Sequence, residues 1–354
     1  MNKKLYLENG YLNFDYIFKC ARKNKTYTIM MVGARGTGKT FGALKYVLDN
    51  NMQFLYMRRT QTQLDLIKKH EFSPFNSINK VMGLNIEQFP VTKYSSSIFD
   101  SELNDDGKLI PKGDLLGLTA ALSTFSNIRS FDASYIKVLI YDEFIGEAHE
   151  RPIKEESTAF FNALETIGRN RELDGQEPLF TLMLANSNNI SNPYFLALNL
   201  VGTVEKMLKT GNDVYYDHAQ GIMILNLNES PISKLKAQTT LYRMTAGTSF
   251  FDMAINNNYT GMCKDAVTTE DIKQYKLLYV LGELAIYKHK SQDRYYVTTH
   301  ISGTPRKIYR ANINGLREFR LKHHEIWMKY CINKISFESY TLQILFEKYY
   351  KDML

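Results

Sequence analysis

The run Gly33-Ala34-Arg35-Gly36-Thr37-Gly38-Lys39-Thr40 has the spacing GxxxxGK[ST], and its residue types suit a phosphate ester. Glycines let the backbone wrap so that successive N–H groups point at one oxygen-rich ligand. A helix opening near Lys39 adds the positive end of its dipole. In that arrangement Lys39 reaches the β- and γ-phosphates of a nucleotide, and Thr40 offers its hydroxyl to Mg²⁺. Such a motif also arises by chance, so its context carries the weight. Residues 27–32 (YTIMMV) read as a buried strand and the residues through about 49 as a helix. The expectation is a site for ATP and Mg²⁺ lined by all eight residues.

Asp142 and Glu143 end the apolar stretch 136–141 (IKVLIY). Carboxylates at that strand end would face the glycine loop across a parallel sheet, with Asp142 holding Mg²⁺ through water and Glu143 polarising the attacking water. Two adjacent acids mark the P-loop class that sets its catalytic glutamate beside the metal aspartate, the ASCE class of helicases, translocases and ring motors. The bland alternative is an N-cap and a dipole-facing carboxylate for the next segment. Asn186 follows the stretch 180–185 (FTLMLA), where such motors place a polar sensor of the γ-phosphate; Ser187 is the second candidate, and an ordinary turn asparagine is the alternative.

Arginines pose a subtler choice. Arg169 and Arg171 follow the helix after the acid pair. An exposed guanidinium there could act on a neighbouring subunit's γ-phosphate, an effect of ~10³–10⁵ in rate. The alternative is a helix C-terminus with favourable cations. Arg58 and Arg59, at the end of 53–58 (QFLYMR), and Arg129 could touch phosphate, touch DNA or merely solvate the surface. Two further clusters read as inert. His323 and His324 are adjacent on a helix, about 100° apart, and do not converge on one ion. Glu270, Glu283 and Asp293 lack a spacing that would gather them around the paired metals of a nuclease.

The elements needed to position these groups are visible. Strand-like 27–32 and 53–58 alternate with helical 39–49 and 60–70; strand-like 136–141 and 180–185 flank helical 157–167. This alternation predicts a parallel α/β sheet. Residues 104–107 (NDDG) read as a hairpin turn. After about residue 229 the alternation stops. The sequence predicts an α/β P-loop ATPase domain with a mainly parallel sheet over 1–228 and a partly helical linker over 229–262. A smaller α+β domain over 263–354 has four hairpin-like segments and helices at 316–330 and 337–353.

Bulk properties bound the class. The chain has 354 residues, 44% hydrophobic and 13% aromatic, enough for two packed cores. Cys20, Cys263 and Cys331 are far apart, which predicts reduced thiols and neither a disulfide frame nor a zinc site. The N-terminal MNKKLYLENG lacks the apolar region of a signal peptide, and no apolar run approaches the ~20 residues that span a bilayer. Residues 263–354 hold 16 Lys and Arg against 10 Asp and Glu, most of the net +7. That excess suggests a polyanionic partner, nucleic acid first, or else a plain basic surface.

In order, GARGTGKT, YMRR (56–59), DEFI (142–145), RNRE (169–172) and SNNISNPYF (187–195) form a set. It resembles the DNA-packaging ATPases, or encapsidation proteins, of small short-tailed phages of the Salasmaviridae type. The similarity is specific over roughly 27–200 and thin beyond. The resemblance implies a terminase-like motor: a homo-oligomeric ring, pentameric in that family, on the portal of a procapsid in the host cytoplasm. Such a ring moves double-stranded DNA, and the family also docks through a structural packaging RNA. It further implies Arg169 as the finger acting in trans, with Arg171 the alternative. It implies a C-terminal domain like an RNase H-type nuclease that has lost its acids. The rival readings are a helicase or partition ATPase, a nucleotide-switched assembly protein, and a terminase with active nuclease.

Overall fold

The computed structural model describes residues 5–33, 36–128, 133–146, 150–186, 190, 192–227, 231–248, 251 and 266–351. Ala34, Arg35, Arg129, Ser187 and Cys263 lie outside the described residues. The chain divides into two compact units, Met1–Tyr194 with Thr210–Thr260, and Phe195–Lys209 with Gly261–Leu354. The division differs from one drawn at residues 229 and 263. The helix Val201–Thr210 belongs, all but its last residue, with the second unit, where Glu205 accepts the Tyr340 N–H at 3.3 Å. The helices Pro231–Lys236 and Thr240–Met244 belong with the first.

The first unit is built on one sheet. Its strands are β1 (Thr28–Gly33), β2 (Phe54–Arg58), β3 (Ile86–Thr92), β4 (Ser95–Leu103), β5 (Leu109–Ala121), β6 (Val138–Asp142), β7 (Phe180–Ala185), β8 (Val214–Asp217) and β9 (Ile222–Leu227). Their order is β3-β4-β5-β2-β6-β7-β1-β9-β8. The six from β5 to β9 in that order pair in parallel, while β3, β4 and β8 add antiparallel edges. Strands covered on both faces need no polar alternation, which is why β6 and β7 read as continuous apolar runs and are buried throughout. The predicted turn at Asn104–Gly107 joins β4 to β5, with Gly107 at φ 73 and its N–H on the Asn104 carbonyl at 2.9 Å.

Helices cover both faces. On one face α1 (Phe14–Asn24), α2 (Lys39–Asp49) and α4 (Asn76–Met82) bury Phe18, Leu44, Val47 and Ile78 against Ile29, Phe54, Tyr56 and Ile140. A short α3 (Gln61–Ile67) follows β2, capped by Thr60. On the other face α5 (Glu156–Gly168) stacks Phe160 on Tyr141 at 5.0 Å between ring centroids. Because successive strand residues point to opposite faces, Tyr56, Arg58 and Asp142 project toward α2. Arg59 and Tyr141 project toward α5.

The second unit holds a five-stranded mixed sheet of order β13-β10-β11-β12-β14, made of β10 (Tyr275–Leu281), β11 (Leu284–His289), β12 (Tyr295–Thr298), β13 (Lys307–Tyr309) and β14 (Ile335–Phe337). One predicted helix, 316–330, is two: Ile313–Lys322 and His324–Cys331. The break falls at His323, whose ring turns inward to lie 4.0 Å from the Tyr279 ring and to pair Nε2 with the Tyr309 hydroxyl at 2.8 Å. The other predicted helix, 337–353, begins instead at Tyr340, since Ile335–Phe337 is drawn into the sheet beside β12.

Candidate nucleotide site

β1 ends at Gly33 and α2 opens at Lys39 with Gly38 as its N-cap. Gly36 (φ 73) and Gly38 (φ 84) adopt the left-handed backbone that favours glycine. Side chains also approach both positions closely. A Cβ on Gly36 would stand 2.8 Å from the Lys236 Nζ, and one on Gly38 would stand 2.7 Å from the Tyr11 ring. Thr37 is fully buried. Lys39 curls over the loop, its Nζ donating to the Gly33 carbonyl at 2.9 Å and to the Thr37 hydroxyl at 3.3 Å. Its ammonium is thus held against the loop.

Across the mouth of this loop lies the acid pair. Thr40 donates its hydroxyl to Asp142 Oδ1 at 3.1 Å, while Tyr56 donates to Oδ2 at 2.6 Å. Arg58 bridges both acids, with Nη1 on Asp142 at 3.1 Å and Nη2 on Glu143. The Asp142 side chain is 8% exposed and saturated with partners; that of Glu143 is 38% exposed. The difference has a backbone cause. Asp142 registers with Leu184 of β7, and the next N–H to reach that residue's carbonyl is that of Phe144, at 3.1 Å. Glu143, between them, is set out of line at φ 57. Burial pushes the Tyr56 hydroxyl well above its ordinary range, and the Asp142 charge adds to that. Burial alone would lower the Arg58 pKa, but Tyr56, Asp142 and Glu143 outweigh it and hold the guanidinium above its usual value. The hydroxyl and carboxylate oxygens of Thr40 and Asp142 are hard donors of the kind Mg²⁺ takes, so the residues present fit that ion.

β7 lies between β1 and β6, so Asn186, half-buried at its exit, stands between the glycine loop and the acid pair. Arg169 is elsewhere. It is the exposed C-cap of α5, at φ 43, and lines a cleft of about 740 Å³ with Thr28, Thr181 and Gly221. Those residues lie at or beside the first residues of β1, β7 and β9, so this cleft lies at the sheet edge away from Gly33. Six residues of strand separate the two edges by roughly 17 Å. Arg171, the alternative, is buried; its guanidinium donates to the carbonyls of Ser134 (3.0 Å) and Ile136, and burial lowers its pKa. Arg59 is not surface charge either: it is 4% exposed and paired with Glu150 and Glu156.

Sequence reasoning missed Tyr56 as a partner of Asp142, the bridging role of Arg58, and the approach of Tyr11 and Lys236 to the glycine loop. For Tyr56 and Arg58 a signal existed, since positions two apart on a strand beside β6 share its face. For Tyr11 and Lys236, far off in the chain, none did. In the second unit His323 serves the core. Glu270 pairs with Arg294 and Asp293 with Lys329. Among the described residues no group of three or more His, Cys, Asp or Glu side chains could hold a metal ion, and no helix is long and apolar enough to cross a membrane.

The sequence model of the podovirus DNA encapsidation proteins (Gp16) matches residues 13–343. A DNA packaging protein of Bacillus phage phi29 is 24% identical over 297 residues, covering 81% of this chain and 80% of the relative. A subunit from the bacteriophage Phi-29 viral genome packaging motor assembly shares the fold, with a TM-score of 0.63 at 17% identity, covering 97% of this chain and 99% of that one. A chain of the Phi-28 gp11 DNA packaging motor superposes with a TM-score of 0.58 at 20% identity, over 94% and 95%. The family match runs over nearly the whole chain, and the protein accordingly belongs to the podovirus DNA encapsidation (Gp16) family, the DNA-packaging proteins of these phages.

Proposed function

We propose that the chain is an ATPase subunit of a ring that drives double-stranded DNA through a procapsid portal. The observation that carries the reading is the asymmetry of the acid pair, one carboxylate buried and saturated, the other half-exposed and aimed by Arg58. Gly33, Gly36, Thr37, Gly38 and Lys39, with Ala34 and Arg35 of the same loop, cradle the phosphates. Thr40 and Asp142 hold Mg²⁺, which when bound supplies positive charge to the phosphate oxygens. Glu143 takes the proton of a water whose oxygen attacks the γ-phosphorus as the β–γ bond breaks and ADP leaves. Asn186 senses the γ-phosphate from between the two strands. Arg58 keeps Glu143 in place until a ligand competes for it.

Arg169 completes the site of the neighbouring subunit. Its own glycine loop is at the far edge of the sheet, which argues against action in cis, and the burial of Arg171 argues against that alternative. Glu143 sits on positive-φ backbone, a strain that surrounding structure must maintain. Grip on DNA is sequence-independent and salt-sensitive, because phosphates carry it. The test is subunit mixing. Arg169→Ala and Glu143→Gln are each inactive alone; mixed, the former has an intact pocket and the latter lends it an arginine, so turnover returns. Mixed rings without activity would refute the trans assignment.

A further inference from the structure

Behind the acid pair, on the opposite face of the sheet, lies a buried polar cluster that the chemistry above does not use. Arg59 forks onto Glu156, Nε to Oε1 at 2.7 Å and Nη2 to Oε2 at 2.8 Å, while Nη1 reaches Glu150 at 2.8 Å. Tyr194 donates its hydroxyl to Glu156 at 3.2 Å and shares a hydrogen bond of 2.9 Å with the Tyr141 hydroxyl. Arg59 and Glu156 are 4% and 3% exposed. Even the backbone is shaped to them, since a Cβ on Gly146 would stand 2.8 Å from the Arg59 guanidinium.

A buried ion pair is weak evidence of stabilisation, because an apolar pair of similar volume often serves as well; a role in fixing position is the hypothesis to weigh. Connectivity gives that role content. Arg59 follows Arg58, and Tyr141 precedes Asp142. Each neighbouring couple thus has one member in the acid-pair corner and one in the cluster. Glu156 opens α5, and Arg169 caps the other end of the same helix. Tyr194 is the last residue of the first unit before the chain passes to Phe195 of the second.

We infer that the Arg59–Glu156 pair is the element that ties α5 to the ends of β2 and β6, and so sets the position of the Arg169 that a subunit presents to its neighbour. Arg59 and Glu156 are positioning residues. The inference rests on the trans reading of Arg169.

The test uses the full chain with Arg59→Met and Glu156→Met together, which removes both charges of the fully buried pair; Glu150, 26% exposed, loses Arg59 but keeps the Gln63 amide at 3.0 Å. The subunit keeps its fold and its ATP affinity, but turnover of rings made of it alone falls about 10²-fold, the cost of a misplaced group about 1 Å from its working position. Mixing then sorts the cause. A subunit whose arginine is misplaced behaves as Arg169→Ala: it is rescued by Glu143→Gln, which lends an arginine, and not by Arg169→Ala. The opposite pattern, rescue by Arg169→Ala alone, means the subunit's own pocket was damaged and overturns the inference, as does unchanged turnover. Should the double variant not fold, Arg59→Lys keeps the charge but loses the fork, and must sort the same way with a smaller fall. The control pair, Arg169→Ala with Glu143→Gln, separates the two ideas. No rescue there ends the trans reading and this inference together; rescue there with wrong sorting of the double variant ends this inference only.

Discussion

The two units of the chain use charge in opposite ways. In the first, charged groups converge and are buried: Arg58, Arg59, Asp142 and Glu156 are each 12% exposed or less. In the second, which holds most of the net positive charge, pairs such as Asp293–Lys329, Glu318–Lys307 and Glu318–Lys322 lie at the surface. Exposed pairs are screened and contribute little. The second unit's excess therefore offers a field, while the first unit's convergence offers a site. Net charge points to a partner; facing, desolvated charges point to chemistry.

Substitutions can break this contrast at either end. Lys39→Ala has the largest expected effect, loss of ATP binding and turnover with the fold intact by circular dichroism, because its ammonium is bonded to the loop that meets phosphate. Normal turnover at saturating ATP would remove the loop from the chemistry. Glu143→Gln comes next: ATP still binds, and turnover falls ~10²–10⁴-fold, since an amide accepts no proton. A near-normal rate would move the base elsewhere, with Asp142 the residue to test.

In the second unit the effect is smaller and of a different kind. Lys276 and Arg306 are exposed. Changing both to Gln should weaken duplex binding for every sequence alike. The slope of log affinity against log salt should become shallower by about 1 for each phosphate no longer neutralised. An unchanged slope would assign these charges to solubility or to another partner. Gly146→Ala tests the buried cluster through stability, with a loss of about 1–3 kcal/mol expected from overpacking against Arg59 and read as a lower Tm. Asp293→Asn in the second unit should leave Tm where it is; a clear drop would mean that the surface pairs do more than screening allows.

What the sequence disclosed, and what it hid, follows the range of the interactions. The glycine loop, the acid pair and the strands before them were legible because each is a local pattern, a run of glycines or an apolar stretch ending in acids. The hairpin at Asn104–Gly107 was legible for the same reason. Arg58 and Arg59 were visible as residues but not as partners, since their roles are set by strand register with β6 and by α5 beyond it. The break at His323 was hidden because helical periodicity runs through it; only the pocket formed by Tyr279, Tyr309 and Phe319 turns that ring inward. Domain limits were least legible, because Val201–Thr210 is an amphipathic helix whose partner, near Tyr340, lies over a hundred residues away in the chain.

The most direct test of the central claim is protection of double-stranded DNA from added nuclease by procapsids supplied with this chain. Protection is expected to require hydrolysable ATP, to grow with time, and to vanish with Glu143→Gln although that variant still binds nucleotide. Full protection without ATP turnover, or with Glu143→Gln rings, would contradict the account.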